Sequence, residues 1–334
     1  MNHKKKLAFI IPFFGTWPAF TNLFLLGCEN NRQADFLLCS ENSPSFPLPE
    51  NVRHIAMNNG EIQTRFEKSL GMKLGVIPGH KLCDFRPFFG LAFADLLKGY
   101  SFWGYCDVDM MFGDLNHILN DPALDSADIF SAHHRQFVGH CTFLRNCAEV
   151  NRLGFEIHGI KDLLLNPATA AADEERFSRV LENHPEIRWI RPGSLDVELA
   201  KPFCRHAITY SFRGKLADVT NSIEPVVKWQ NGKIQMEWAE NNQTEILYVH
   251  FMAIKHPWHW SKEPIGRQPN DEPHVFSKLG YGWITHYRDL RKNQFKVLYR
   301  LQCTLFYLKV FSGRILRRYL SPDKIRNIRK AVRI

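Results

Sequence analysis

The stretch Ser101-Phe102-Trp103-Gly104-Tyr105-Cys106-Asp107-Val108-Asp109 decides how this 334-residue chain is read. After Ser101, the run Phe102–Cys106 is aromatic and apolar, the pattern of a strand buried on both faces, and the strand delivers two carboxylates to its carboxyl end. Upstream, strand-like and helix-like patterns alternate. Lys6–Phe14 is an apolar run ended by Gly15 and Pro18, Phe20–Cys28 reads as a helix, and Asp35–Cys39 and Val52–Met57 read as strands. Ile62–Leu70 reads as a helix closed by Gly71, and Pro87 stands where a helix would open, running to Lys98 with Gly99 as its stop. Such alternation predicts an α/β fold with a mixed, mainly parallel central sheet, whose ligands gather at the carboxyl ends of the strands.

Downstream the pattern turns more antiparallel. Asp128–Ala132 and His140–Leu144 read as strands, Asp173–Glu182 as a helix and Ile246–Phe251 as a late strand. Lys228–Trp238 contains Asn231-Gly232 between alternating residues, a strong hairpin signal.

Bulk composition is that of an ordinary globular protein, 45% hydrophobic and 23% charged. No apolar run approaches the ~20 residues that span a bilayer. The amino-terminal apolar run is short, interrupted by Pro12 and without a small-residue cleavage site, so it reads as a buried first strand rather than a signal peptide. The eight cysteines are scattered with no C-x-x-C pair, which points to buried thiols in a reducing, cytoplasmic setting. The net charge of +9 is concentrated at one end. Residues 288–334 carry 14 Lys and Arg against two acidic residues, Asp289 and Asp323, so everything before them is slightly acidic. Leu298, Leu301, Leu305, Phe306, Leu308, Phe311, Ile315 and Leu316 are interleaved with those bases. The segment reads as a basic amphipathic helix suited to an anionic membrane surface, or as a helix packed on the domain. No nucleic-acid-binding motif accompanies it, and no nucleic-acid partner is expected.

Asp-x-Asp alone is weak evidence: with 16 Asp in the chain, about one such pair arises by chance. Its position after a buried strand is what gives it weight, because two carboxylates in a loop can share a hard cation and leave room for phosphate oxygens. Lys81-Leu82-Cys83-Asp84-Phe85-Arg86-Pro87 places two bases beside an expected helix start, where an anionic ligand is favoured, and Asp84 can accept from sugar or ribose hydroxyls. The plainer alternative is a capping Asp between two surface bases. His250, in Tyr248-Val249-His250, offers a nitrogen ligand, with Lys255 following as a cation for a diphosphate. Asp173-Glu174-Glu175 opens the expected helix; its acidity suits the helix dipole, and either Asp173 or Glu174 is a candidate base toward an acceptor hydroxyl. Gly139-His140-Cys141 and His133-His134 are candidates for an acceptor site, with nothing local demanding it.

Four strings taken together, I-P-F-F-G-T-W-P at 11–18, K-L-C-D-F-R-P at 81–87, F-W-G-Y-C-D-V-D-M-M-F-G-D at 102–114 and G-H-C-T-F-L-R-N at 139–146, resemble a bacterial family of GT-A-type glycosyltransferases from capsule and lipopolysaccharide gene clusters. The resemblance spans roughly residues 7 to 260. H-F-M-A-I-K-H-P-W at 250–258 is similar to the closing motif of the glycogenin and lipopolysaccharide galactosyltransferase group, in which the His binds manganese and the Lys contacts the diphosphate. Ala253 replaces that motif's Gly, and His256 is inserted before Pro257. Ser40-Glu41 stands where relatives place an Asp near the nucleotide.

The resemblance implies a GT-A, Rossmann-like domain over 1–287, with a nucleotide-sugar-binding half at 1–115 and an acceptor-side half at 116–287, followed by the tail 288–334. It implies Mn²⁺ or Mg²⁺ on Asp107, Asp109 and His250, and a nucleoside-diphosphate sugar contacted by Pro12, Phe13, Phe14, Lys81, Asp84, Arg86, Asp107 and Lys255. The acceptor is then a growing glycan, lipid-linked if the tail holds the enzyme on the inner face of the cytoplasmic membrane. The glycogenin-like motif implies retention of configuration, whereas Asp173 or Glu174 acting as base implies inversion. Rival classes are a nucleotidyltransferase, against which stands the lack of a Gly-rich basic loop after the first strand, and a non-catalytic membrane or glycan binder. A phosphatase with an Asp nucleophile would carry its motif after the first strand rather than a later one.

Overall fold

The structure, a computed structural model, describes residues 7–120, 122–131, 137, 139–190, 208–209, 226–239, 242–250, 273–277 and 280–281. The expected Lys255, His133, His134 and the tail 288–334 lie outside the described residues.

The chain begins with β1 (Leu7–Pro12), α1 (Thr21–Glu29), β2 (Ala34–Ser40), β3 (Val52–Ala56) and α2 (Asn59–Leu70). Helix α2 starts at a capping box, in which the Asn58 side chain accepts from Glu61 N–H and Glu61 accepts from Asn58 N–H. It ends at Gly71, whose φ of 65° is the left-handed cap an unbranched Gly adopts without strain. The expected helix from Pro87 to Lys98 takes another form. A 3₁₀ stretch, Gly79–Phe88, already contains Pro87 and passes into the short α3 (Phe89–Ala92). The cause is packing: Leu82, Phe85, Phe88, Phe89 and Phe93 are all buried, a spacing that a tight, irregular helix places against the sheet.

After these come β4 (Phe102–Cys106), β5 (Met110–Phe112), β6 (Ile129–Ser131), β7 (Cys141–Arg145) and β8 (Trp189–Ile190). The central sheet runs β3-β2-β1-β4-β7-β6-β8, with β7 alone antiparallel to its neighbours. The fold is therefore α/β with a large mixed, mostly parallel sheet, compatible with a Rossmann-like architecture. Alternate residues of β1 and β2 enter two cores. Ala8, Ile10, Leu37 and Cys39 pack on one face, and Leu7, Phe9, Ile11, Phe36 and Leu38 on the other, where the Phe9 and Phe36 rings stack at 5.1 Å. From β1 the chain goes first to β2 and β3 on one side and only later to β4 on the other. The crevice beyond the carboxyl ends of β1 and β4 is thus the topological switch point, where open α/β sheets take ligands.

The second half adds β9 (Ile208–Thr209), β10 (Val226–Gln230), β11 (Lys233–Ala239), β12 (Asn242–Ile246), β13 (Tyr248–His250), β14 (His274–Ser277) and β15 (Gly280–Tyr281). The hairpin β10–β11 turns on Asn231 and Gly232, both with positive φ (52° and 77°), the conformation Asn-Gly was expected to adopt. The late strand expected over 246–251 is two strands. Ile246 ends β12 in the sheet β12-β11-β10-β14-β15, while β13 leaves to pair with β5 and β9. Strand β5 is pinned where β13 meets it. Asn31 donates to the Gly27 and Gly113 carbonyls and accepts from Leu115 N–H, and Trp229 Nε1 donates to the Phe112 carbonyl. Gly27 is required there, because a Cβ would come within 2.6 Å of the Phe112 nitrogen.

Candidate metal centre and cleft

Two backbone junctions build the site. Strand β4 ends at Cys106 and places Asp107 beside Pro12 and Phe13 at the end of β1. The chain then turns through Val108-Asp109 into β5, where the antiparallel register sets His250 opposite Met110, one residue beyond Asp109. Ligand atoms of Asp107, Asp109 and His250 consequently all lie within 4.8 Å of one another. That spread approaches the ~4 Å separating two ligands each ~2.1 Å from a common ion. His250 Nε2 is 3.6 Å from Asp107 Oδ2 and 3.4 Å from Asp109 Oδ1.

His250 is buried, and neither ring nitrogen has a hydrogen-bond partner among the described residues. Burying an imidazole with both nitrogens unmatched is unfavourable. A cation between Nε2 and the two carboxylates would give Nε2 a partner, so the chemistry of these three residues fits a divalent metal. The His140 ring stacks on His250 at 4.6 Å, and the His140 carbonyl accepts the Asp107 N–H. The sequence offered His140 only as a loose acceptor-side candidate. Its place beside His250 follows from β7 lying next to β4.

Arg86 divides its guanidinium between two carboxylates. One amino group bonds Asp107 Oδ1, and Nη1 bonds Asp173 Oδ2 at 3.0 Å, while the guanidinium carbon sits 5.2 Å from the Tyr105 ring centre. Asp107 therefore presents one oxygen to Arg86 and the other toward Asp109 and His250. Burial disfavours the Arg86 charge, but Asp107 and Asp173 outweigh it and hold the group firmly protonated. For Asp173 the balance goes the other way. Burial pushes its carboxyl up to about 6, and the nearby Arg86 only partly counters this. Gly139 closes over the pair: a Cβ there would stand 2.5 Å from Arg86 Nη1 and 2.6 Å from Asp173 Oδ2. Its N–H donates to Glu174 Oε1 at 3.3 Å.

A cavity of about 460 Å³ opens at the switch point, lined by Pro12, Phe13, Thr16, His80, Arg86 and Asp107–Asp109 among others. Phe13 stacks on Trp17 at 4.4 Å at its rim. Of the residues expected at a nucleotide sugar, Pro12, Phe13, Arg86 and Asp107 line this cavity. Phe14 is not in the lining and packs on the core. Asp173 and Glu174 sit behind Arg86 rather than in the cavity wall, in a π-helical turn, Ala172–Arg176, that precedes the helix Phe177–Glu182.

Lys81 and Asp84 are corrected. Both are buried, at 1% and 0% exposure, and neither lines the cavity. The three donors of the Lys81 ammonium go to Asp84 Oδ2 (2.7 Å), the Leu163 carbonyl (2.7 Å) and the Ala168 carbonyl (2.8 Å). No donor is left for a phosphate, and Asp84 is no nearer to a sugar hydroxyl. The spacing that resembled a phosphate-binding cluster encodes an internal ion pair, and only Arg86 of the three reaches the cleft.

The six described cysteines carry free thiols; Cys28, Cys39, Cys106 and Cys141 are buried, Cys83 and Cys147 half-buried. No helix among the described residues is long and apolar enough to cross a membrane. No curated protein matches the chain. Residues 9–266, well over half of the sequence, match the family model described as "Family of unknown function (DUF6625)", and the chain belongs to that family.

Proposed function

We propose that this cleft is the donor site of a metal-dependent glycosyltransferase of GT-A architecture. It would move a sugar from a nucleoside-diphosphate sugar, a UDP-sugar first among the candidates, to a growing surface glycan. One observation carries the reading: Asp107, Asp109 and a buried His250, whose ring nitrogens make no hydrogen bond among the described residues, converge beside a cleft at the switch point from positions some 140 residues apart. Asp107, Asp109 and His250 would hold the metal, and the imidazole among the oxygens favours Mn²⁺ over Mg²⁺. A divalent cation bound there supplies Lewis-acid neutralisation of the diphosphate leaving group.

The chain's own groups do the remainder. Arg86 fixes the Asp107 carboxylate and adds positive charge to the cleft wall. Pro12 and Phe13, with Trp17 stacked behind, offer an apolar wall for the base. Asp173, its carboxyl near 6, is able to exchange a proton close to neutral pH, and Glu174 beside it is the alternative group on the acceptor side. Lys255 is proposed for the diphosphate on its motif alone.

Purified protein is expected to hydrolyse or transfer from one member of a UDP-sugar panel only with Mn²⁺ or Mg²⁺, and Asp109→Asn is expected to abolish this while leaving the fold intact. Undiminished turnover in chelator would sink the metal mechanism. The basic residues of 288–334 support a peripheral membrane location and a lipid-linked acceptor. Salt-sensitive binding to anionic vesicles should disappear when residues 288–334 are removed; equal binding by the truncated protein refutes that location.

A further inference from the structure

The buried Lys81–Asp84 pair grips one short segment, and that segment carries Asp173. Asp84 Oδ2 accepts from Ala170 N–H and Oδ1 from Ala172 N–H, both at 2.8 Å. Between those two amides stands Ala171, a non-glycine residue in the left-handed region (φ 51°, ψ 44°), which L side chains disfavour. The next residues form a π-helical turn, a form that rarely persists without support. Lys81 holds the same segment from its other end through the Leu163 and Ala168 carbonyls. A single ion pair thus ties down four backbone groups around one strained residue. Two positions after that residue, Asp173 meets Arg86, which in turn meets Asp107.

We propose that Lys81 and Asp84 are positioning residues: they enforce the left-handed Ala171 and the turn after it, and so set the Asp173 carboxylate against Arg86. They touch neither the cleft nor the metal ligands, and they act on chemistry only through Asp173. The inference deepens the glycosyltransferase reading and rests on it where turnover is the readout. Strain of this kind survives only where its surroundings over-determine it, and here those four bonds do so. A fully buried ion pair, where an apolar pair of similar size would serve stability as well, is consistent with a geometric task.

The test compares the full-length parent with Asp84→Asn and with the double variant Lys81→Met/Asp84→Leu, whose apolar side chains keep the volume and remove the charges. Circular dichroism reports folding, and titration with Mn²⁺ alone counts competent sites and their affinity. Because Asp107, Asp109 and His250 share no bond with the pair, Mn²⁺ affinity should stay within about twofold of the parent. Turnover of the UDP-sugar per Mn²⁺-titrated site should fall on the order of 10²-fold, as for a ~1 Å misplacement, with KM for the donor little changed. A folded variant that keeps parental kcat per titrated site overturns the proposal, as does failure of both variants to fold, which would make the pair a matter of general stability.

If the parent itself turns over no donor, the functional reading fails and hydrogen exchange still decides the positioning. Asp84→Asn should speed exchange at the Ala170 and Ala172 amides at least tenfold relative to the amides of β1 and β4. Equal protection in variant and parent refutes the grip.

Discussion

Replacing Gly139 by Ala perturbs the site without substituting any charged residue. Gly139 does not have a positive φ, so the added methyl strains no backbone and acts only through space. That methyl would stand 2.5 Å from Arg86 Nη1, 2.6 Å from Asp173 Oδ2 and 3.3 Å from Glu174 Oε1. Ordinary contact begins near 3.4 Å, so both partners of the Arg86–Asp173 bond must retreat by almost an ångström. Neither is a loose side-chain tip: Arg86 is also tied to Asp107 and set over Tyr105, and Asp173 is buried. Overpacking of this size costs about 1–3 kcal/mol of stability. A ~1 Å displacement of a catalytic constellation costs about 10²-fold in rate. Urea unfolding gives the first quantity, and Mn²⁺-dependent donor turnover the second. Gly139→Ser should behave alike, since it adds the same Cβ. Parental stability and turnover in Gly139→Ala would show that the ring of Arg86, Asp173 and Gly139 is not closed in solution.

Three other outcomes are expected. Mn²⁺ at a hundred times its Kd should stabilise the protein by about 2.7 kcal/mol in thermal unfolding. His250→Phe should remove most of that gain but cost little without metal, since no hydrogen bond among the described residues is lost. With its carboxyl raised from 3.8 to about 6, Asp173 favours the folded state fully below pH 3.8 and loses that contribution as pH rises through 6. The difference in unfolding free energy between parent and Asp173→Asn should therefore change by about 3 kcal/mol across that window. Turnover that uses Asp173 as base should rise over the same window, and a profile flat through pH 6 would remove Asp173 from that role. Ala171→Gly relieves the left-handed strain and should be neutral or stabilising by up to ~1 kcal/mol in urea unfolding, whereas Ala→Gly inside a helix costs about as much. A loss of 1 kcal/mol or more would show that the turn is not strained.

The local chemistry of each element was legible without coordinates. Apolar runs marked β1, β2 and β4, because a strand buried on both faces admits little else. Asn231-Gly232 announced its turn, because few pairs accept two positive φ angles. Asp107 and Asp109 were placed at a strand end by the same logic. Lys81-x-x-Asp84-x-Arg86 shows where such reading stops. Three charged residues in six look equivalent in sequence, yet an irregular helix turns two inward to saturate each other and one outward to the cleft.

Likewise, no local pattern says that Ile246 and Tyr248 belong to different sheets, or that His250 lies opposite Met110. Strand register across some 140 residues is decided by β13 pairing with a β5 already pinned by Asn31 and Trp229. By itself the sequence determined an α/β chain with carboxylates at the end of a buried strand, since periodicity and turn chemistry are short-range properties. The motif resemblance pointed to His250, but only the tertiary structure shows how it meets those carboxylates and which of Lys81 and Arg86 faces the cleft. Those are set by packing and pairing between segments that share no local signal.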